Sequence, residues 1–166
     1  MNRAVKVIPL CFSLVLLGSS AHAQIGGKKP HDVRVMKLLD AEDLKYEITS
    51  DGDFKLGNRF KNGRTHLLWV NSNTEKYQKL EIREVWSVGY IANGKLSPEE
   101  MRTLLKDNSR KKLGSWKIIT SNEKDIAVFY VQIAADSDRD SFLSAVQIVS
   151  ESADEMEKQL TGKDDL

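Results

Sequence analysis

Apolar and polar positions along the chain fall into segments with two different periods. From Val33 to Asp43 they repeat at helical spacing, with Val35, Leu38 and Leu39 on one side. Asp32, just ahead, is a helix N-cap, since its carboxylate can accept from the free amides of a first turn. Lys45 to Thr49 alternates, with Tyr46 and Ile48 apolar, and Asp51-Gly52 is a hairpin signal because glycine takes a positive φ at no steric cost. Phe54, Leu56 and Phe60 continue a second strand, and Asn62-Gly63 marks the next turn. Thr65 to Asn71 is apolar on both sides, with Leu67 and Trp69 on one face and Leu68 and Val70 on the other. Such a strand is either covered on both faces or leaves an apolar patch open. After the polar stretch Ser72 to Gln78 comes a longer strand. Leu80, Ile82, Glu84, Trp86 and Val88 share one of its faces, and Glu81, Arg83 and Val85 share the other.

Asn93-Gly94 closes this half of the chain. Ser97-Pro98-Glu99-Glu100 then starts a helix. Ser97 is the N-cap, Pro98 stands where a missing amide costs nothing, and Glu100 can reach back to complete a capping box. Met101, Leu104 and Leu105 supply its expected buried side, and Asp107-Asn108-Ser109 ends it. Lys117 to Thr120 is a short strand, Ser121 to Lys124 a turn, and Ile126 to Ala134 a central strand apolar on both faces. The last helix starts near Ser137 or Asp138. Phe142, Val146, Val149, Ala153, Met156 and Leu160 recur along it at alternating spacings of four and three, one continuous stripe. The stripe is too short for a sustained intermolecular coiled coil, so it is expected against the sheet of its own chain. Residues 162–166 read as a frayed tail. The predicted order is α-β-β-β-β-α-β-β-α. Short turns force antiparallel pairing, so the fold class is α+β, a single antiparallel sheet with helices packed on it.

The N-terminus changes the setting of this domain. Arg3 and Lys6 precede an apolar run from Val7 to Gly18, and Ala21-His22-Ala23 has the small residues that signal peptidase requires. Residues 1–23 are therefore read as a cleavable signal peptide cut after Ala23, which places the chain in the periplasm or outside the cell. The run is shorter than the roughly 20 residues of a spanning helix, so no membrane insertion follows cleavage. Cys11 lies too near the front of the run to be a lipidation site. Residues 24–31 form a flexible leader, and residues 32–161 are the domain. Cys11 is the only cysteine of the chain and leaves with the signal, so core packing alone must hold the fold. The whole chain has 25 basic and 24 acidic side chains, and the signal removes two basic ones. Nothing in that balance attracts nucleic acid or an anionic membrane surface.

The sequence has no Gly-x-Ser-x-Gly elbow, no phosphate-cradling glycine loop and no dinucleotide fingerprint. His31 lies in the leader. His66 lies on a strand with no second histidine near it in sequence, so no metal or other cofactor is expected. Asp51-Gly52-Asp53 continues into Phe54, Lys55 and Leu56 and is turn chemistry rather than a calcium loop. Asp136, Asp138 and Asp140 crowd the start of the last helix, where carboxylates offset its dipole. Trp69 and Trp86 are the most informative side chains. Both fit a core. If the helices cover only one sheet face, both instead become anchors for a partner.

Leu38-Leu39-Asp40-Ala41, Leu44-Lys45-Tyr46-Glu47 and Asp51-Gly52-Asp53 resemble the opening of YbjN-like domains. Leu104-Leu105-Lys106-Asp107-Asn108 and Leu113-Gly114-Ser115-Trp116-Lys117 resemble their second helix and the strand after it. The resemblance covers about residues 33–157 and implies a fold similar to type III secretion chaperones. It implies no catalytic residues, and an export signal is at odds with a chaperone that works in the cytoplasm. The expected function is a non-enzymatic exported binding, chaperone-like or regulatory module that makes protein-protein contacts, with Trp69 and Trp86 as candidate contact residues. A homodimer stays open. The alternative is a small periplasmic hydrolase without a recognisable motif.

Overall fold

A computed structural model describes residues 29–166, so the expected signal peptide and most of the leader lie outside the described residues. The elements are α1 (Val33–Ala41), β1 (Tyr46–Ile48), β2 (Phe54–Arg59), β3 (Thr65–Val70), β4 (Glu75–Tyr77), β5 (Leu80–Ile91), α2 (Pro98–Asn108), β6 (Ser115–Ser121), β7 (Lys124–Ala134) and α3 (Arg139–Thr161). The strands form one antiparallel seven-stranded sheet in the order β1-β2-β3-β5-β7-β6, with β4 paired to the start of β5. This is the expected α+β architecture with one added piece. The polar stretch before β5 folds back as the three-residue strand β4, whose side chains are all exposed. A strand with no apolar side to bury leaves no periodic trace in a sequence.

Helix starts follow the local chemistry. The Asp32 carboxylate accepts from the Arg34 amide at 2.8 Å. Ser97 and Glu100 form the reciprocal capping box, and Asp138 caps α3 by accepting from the Ser141 amide. Asp32 does more than cap. The wholly buried Arg83 of β5 donates to it, and Arg34 binds both Asp32 and, through two nitrogens, Glu81. Two carboxylates and two guanidiniums thus pin the start of α1 to β5. Burial alone would push the Asp32 carboxyl up. Hydrogen bonds from Arg34 and Arg83 outweigh that and hold it well below the usual carboxylate range. The Glu81 carboxyl, bonded first by Arg34 and then by Thr74, is pulled down to about 2.

α3 lies across β3, β5 and β7, and Phe142, Val149, Ala153 and Met156 are buried against Leu68, Val85, Phe129 and Val131. The apolar stripe therefore packs within one chain. Burying side chains of this size contributes roughly 1.5–3 kcal/mol each. The second helix differs from expectation. Leu104 is buried, but Met101 and Leu105 face outwards. α2 sits at the β6 edge of the sheet and has little to lie on beyond that strand.

Gly89 makes this packing fit. A Cβ there would lie 2.3 Å from Trp116 Cη2, so the indole can cross β5 only over a glycine. The β5–β7 register shifts at the same place, between Val88 and Tyr90. Beyond that bulge Tyr90 pairs with Ala127 of the covered face and donates to Glu100 of α2 at 2.6 Å. The C-terminal tail is docked rather than frayed. The Asp165 and Leu166 amides donate to Glu157 Oε1 at 2.6 and 3.0 Å.

Candidate functional site

The described helices all pack on one face of the sheet. Among the described residues, no helix lies over the side chains that point the other way. On β3 these are Thr65, Leu67 and Trp69, and on β5 Leu80, Ile82, Glu84, Trp86 and Val88. Trp69 and Trp86 are direct register partners, and their rings stack with centroids 4.7 Å apart and planes 11° from parallel. Such a pair contributes about 0.5–1.5 kcal/mol beyond its buried area. Both indoles are half-buried. The pairing continues the same row across the sheet as Lys55, Trp69, Trp86, Tyr130 and Ser115. Leu67, Tyr77, Leu80, Ile91 and Ile119 are exposed around it on the same face.

Polar groups along the row are arranged rather than scattered. Lys117 Nζ stands 4.4 Å from the Tyr130 ring centroid and 2.6 Å from Glu84 Oε1, so an ion pair lies over an aromatic face. The Trp86 indole N–H donates to Asn71 Oδ1 at 2.7 Å. Because β4 carries β5 past the end of β3, a pocket of about 280 Å³ opens beside this bond, lined by Asn71, Asn73, Glu75, Glu84, Lys117 and Gln132. Amides, carboxylates and an ammonium group next to stacked aromatics can hydrogen-bond and pack against a ligand. Thr74 is also in the lining, and its hydroxyl donates to Glu81 Oε1 at 2.7 Å, a carboxylate already held by two Arg34 nitrogens.

The sequence-predicted pair Trp69 and Trp86 is thus brought together at the centre of the uncovered face. Tyr130, Lys117 and Asn71 belong to the same surface and were not singled out in the sequence. Tyr130 could have been found from the alternation of β7, which puts it opposite to Phe129 and Val131.

A second group of polar side chains lies on the covered face. His66 is buried, with Nε2 2.9 Å from the Val88 carbonyl oxygen. A carbonyl only accepts, so Nε2 carries a proton. Among the described residues Nδ1 has no hydrogen-bond partner, and it lies 3.6 Å from Glu157 Oε2. Arg64 donates to Asp154 Oδ1 at 2.6 Å and to Glu157 Oε2 at 3.1 Å. Burial pushes the His66 imidazolium below its ordinary value, despite the opposing Val88 hydrogen bond and nearby carboxylates. Spacing could not reveal this group, since α3 brings its carboxylates to β3 from about ninety residues away. The one sequence trace is Asp154 and Glu157, three apart and each next to a stripe residue, Ala153 or Met156.

Compared with family models, curated proteins and solved structures, the chain matches none. No helix among the described residues is long and apolar enough to cross a membrane.

Proposed function

We propose that the chain is an exported, non-enzymatic binding module that holds a partner protein on the uncovered face of its sheet, with Trp69 and Trp86 as anchors. The observation that carries this reading is the stacked, half-buried tryptophan pair at the centre of a sheet face that none of the described helices covers. Aromatic side chains surrounded by small polar groups are the usual energetic centre of protein interfaces. Exposed leucine and isoleucine around the pair supply area, and the Lys117–Glu84 ion pair supplies a polar rim. The resemblance of residues 33–157 to YbjN-like domains, without assigned catalytic residues, supports the same direction.

A hydrolase would need its acid and base in a place that substrate can reach. His66, the histidine nearest to carboxylates, is sealed under α3, and the pocket beside Trp86 is not lined by it. Capture from envelope extract tests the proposal, using the wild-type protein, the Trp69→Ala/Trp86→Ala double variant and Leu105→Ala on the outer side of α2. The expected result is a protein retained by wild type and Leu105→Ala and lost from the double variant. Identical captures by all three would remove the anchors from the account.

A further inference from the structure

We propose that His66 Nδ1, Asp154 and Glu157 form a buried structural site for one divalent transition-metal ion of the zinc class. Each residue offers one ligand atom, and the three atoms lie within 4.8 Å of one another. Two zinc bonds of about 2.0–2.1 Å at a tetrahedral angle separate their ligand atoms by about 3.4 Å. His66 Nδ1 and Glu157 Oε2, at 3.6 Å, already have nearly that separation.

Two further observations point to a cation. The first is the direction of the imidazole. With Nε2–H committed to the Val88 carbonyl, the Nδ1 lone pair faces a carboxylate oxygen. Arg64 Nη2 donates to the same Oε2 at 3.1 Å, but nothing described donates to Nδ1, and a buried acceptor left without a partner is costly. The same arrangement is what a metal-binding histidine needs, since a second-nitrogen hydrogen bond to a backbone carbonyl sets its tautomer and ring direction. The second observation is charge. Three carboxylates, Asp154, Glu157 and Asp164, surround the single Arg64 guanidinium. Asp154 and Glu157 are buried, so one guanidinium leaves negative charge uncompensated where water does not screen it.

An imidazole with two carboxylates suits zinc and its neighbours. Calcium and magnesium prefer six or more oxygens. The site joins β3 to α3, and the docked tail closes it: Arg64 Nη1 donates to the Lys163 carbonyl at 2.6 Å, and the Thr65 amide donates to Asp164 Oδ1 at 3.1 Å. Metal bound there would tie sheet, helix and tail together, and its binding free energy would add to folding.

Calorimetric titration of zinc into chelator-stripped protein, with melting curves before and after, tests the site. About one equivalent should bind, and the melting temperature should rise by several degrees. His66→Gln should keep the circular dichroism of the fold and lose the zinc-dependent rise, and Asp154→Asn, nearer the surface, should weaken it. A rise that survives in His66→Gln would place the metal elsewhere and overturn the proposal. So would a wild-type protein that neither binds zinc nor changes its melting temperature. If both variants fail to fold, cobalt in the wild-type protein decides. Intense visible bands of four-coordinate cobalt support the site, and the weak bands of six-coordinate cobalt contradict it. Nitrogen NMR showing His66 doubly protonated at neutral pH and indifferent to zinc would assign the gap to a proton instead.

Discussion

The two faces of this sheet are built from the same strands and end in different states. On the covered face Phe54, Leu68, Val85, Phe129 and Val131 belong to the core beneath the helices and are shut from water. On the other, Leu67, Trp69, Trp86 and Tyr130 lie one residue away along the same backbones and stay partly in water. Strand periodicity sets that difference, because each one-residue step moves a side chain to the opposite face. The contrast shows where apolar character is stabilising the fold and where it is left over. The covered face spends its apolar area inside the molecule. The open face keeps leucine, isoleucine and aromatic side chains partly in water around the Lys117–Glu84 ion pair, and apolar patches left exposed commonly mark a contact site.

Substitutions should therefore separate into two kinds. The largest loss of stability is expected for Phe142→Ala under α3, about 3–5 kcal/mol, a large share of the ~5–15 kcal/mol typical of a domain. Thermal melts combined with sedimentation would check it. A folded Phe142→Ala monomer derived from a dimeric parent would move the stripe to a subunit interface. Gly89→Ala should cost about 1–3 kcal/mol, since its Cβ meets the Trp116 ring and over-packed cores yield at that scale. Near-ultraviolet circular dichroism should change with it as the Trp116 indole is displaced.

Acid should weaken the hold of β5 on the start of α1. Asp32 and Glu81 have lowered values in the folded chain, against about 4 when unfolded. Their contribution is fully present above the unfolded values and is lost as pH falls through the folded ones. Urea melts should thus weaken from about pH 4 towards pH 2, and Glu81→Gln should flatten that slope. An unchanged slope in Glu81→Gln would mean that Arg34 and Glu81 do not hold α1 to β5 in solution. The smallest stability effect is expected on the open face, where Trp86→Ala should cost about 1 kcal/mol for its lost stack with Trp69. A cost comparable to Phe142→Ala would mean that the tryptophans are core after all.

Much of the fold is written in local signals. The caps at Asp32, Ser97 and Asp138, the glycine turns at Gly52, Gly63 and Gly94, and the α3 stripe each act within a few residues of sequence, and the structure has them in those roles. β4 escaped because its side chains bury nothing. Met101 and Leu105 misled because helical spacing shows which residues share a side and says nothing about whether a surface awaits them. Arg83 looks like an ordinary strand charge in sequence, and its burial depends on Asp32, a partner about fifty residues away. The candidate surface was half legible. Trp69 and Trp86 stood out by type, but their stacking depends on the β3–β5 register, which no local pattern encodes. His66 with its two carboxylates was illegible for the same reason.

Photo-crosslinking would show whether a partner protein sits on the open face. A photoreactive side chain would replace Leu67 or Val88 on the open face, and in matched proteins Gln147 or Glu155 on the outer side of α3, with each protein exported in producing cells. A discrete covalent adduct with another protein is expected from Leu67 and Val88, lost when Trp69→Ala and Trp86→Ala are added, and none from Gln147 or Glu155. Adducts formed only from the α3 positions, or unchanged by loss of both tryptophans, would contradict docking on the open face.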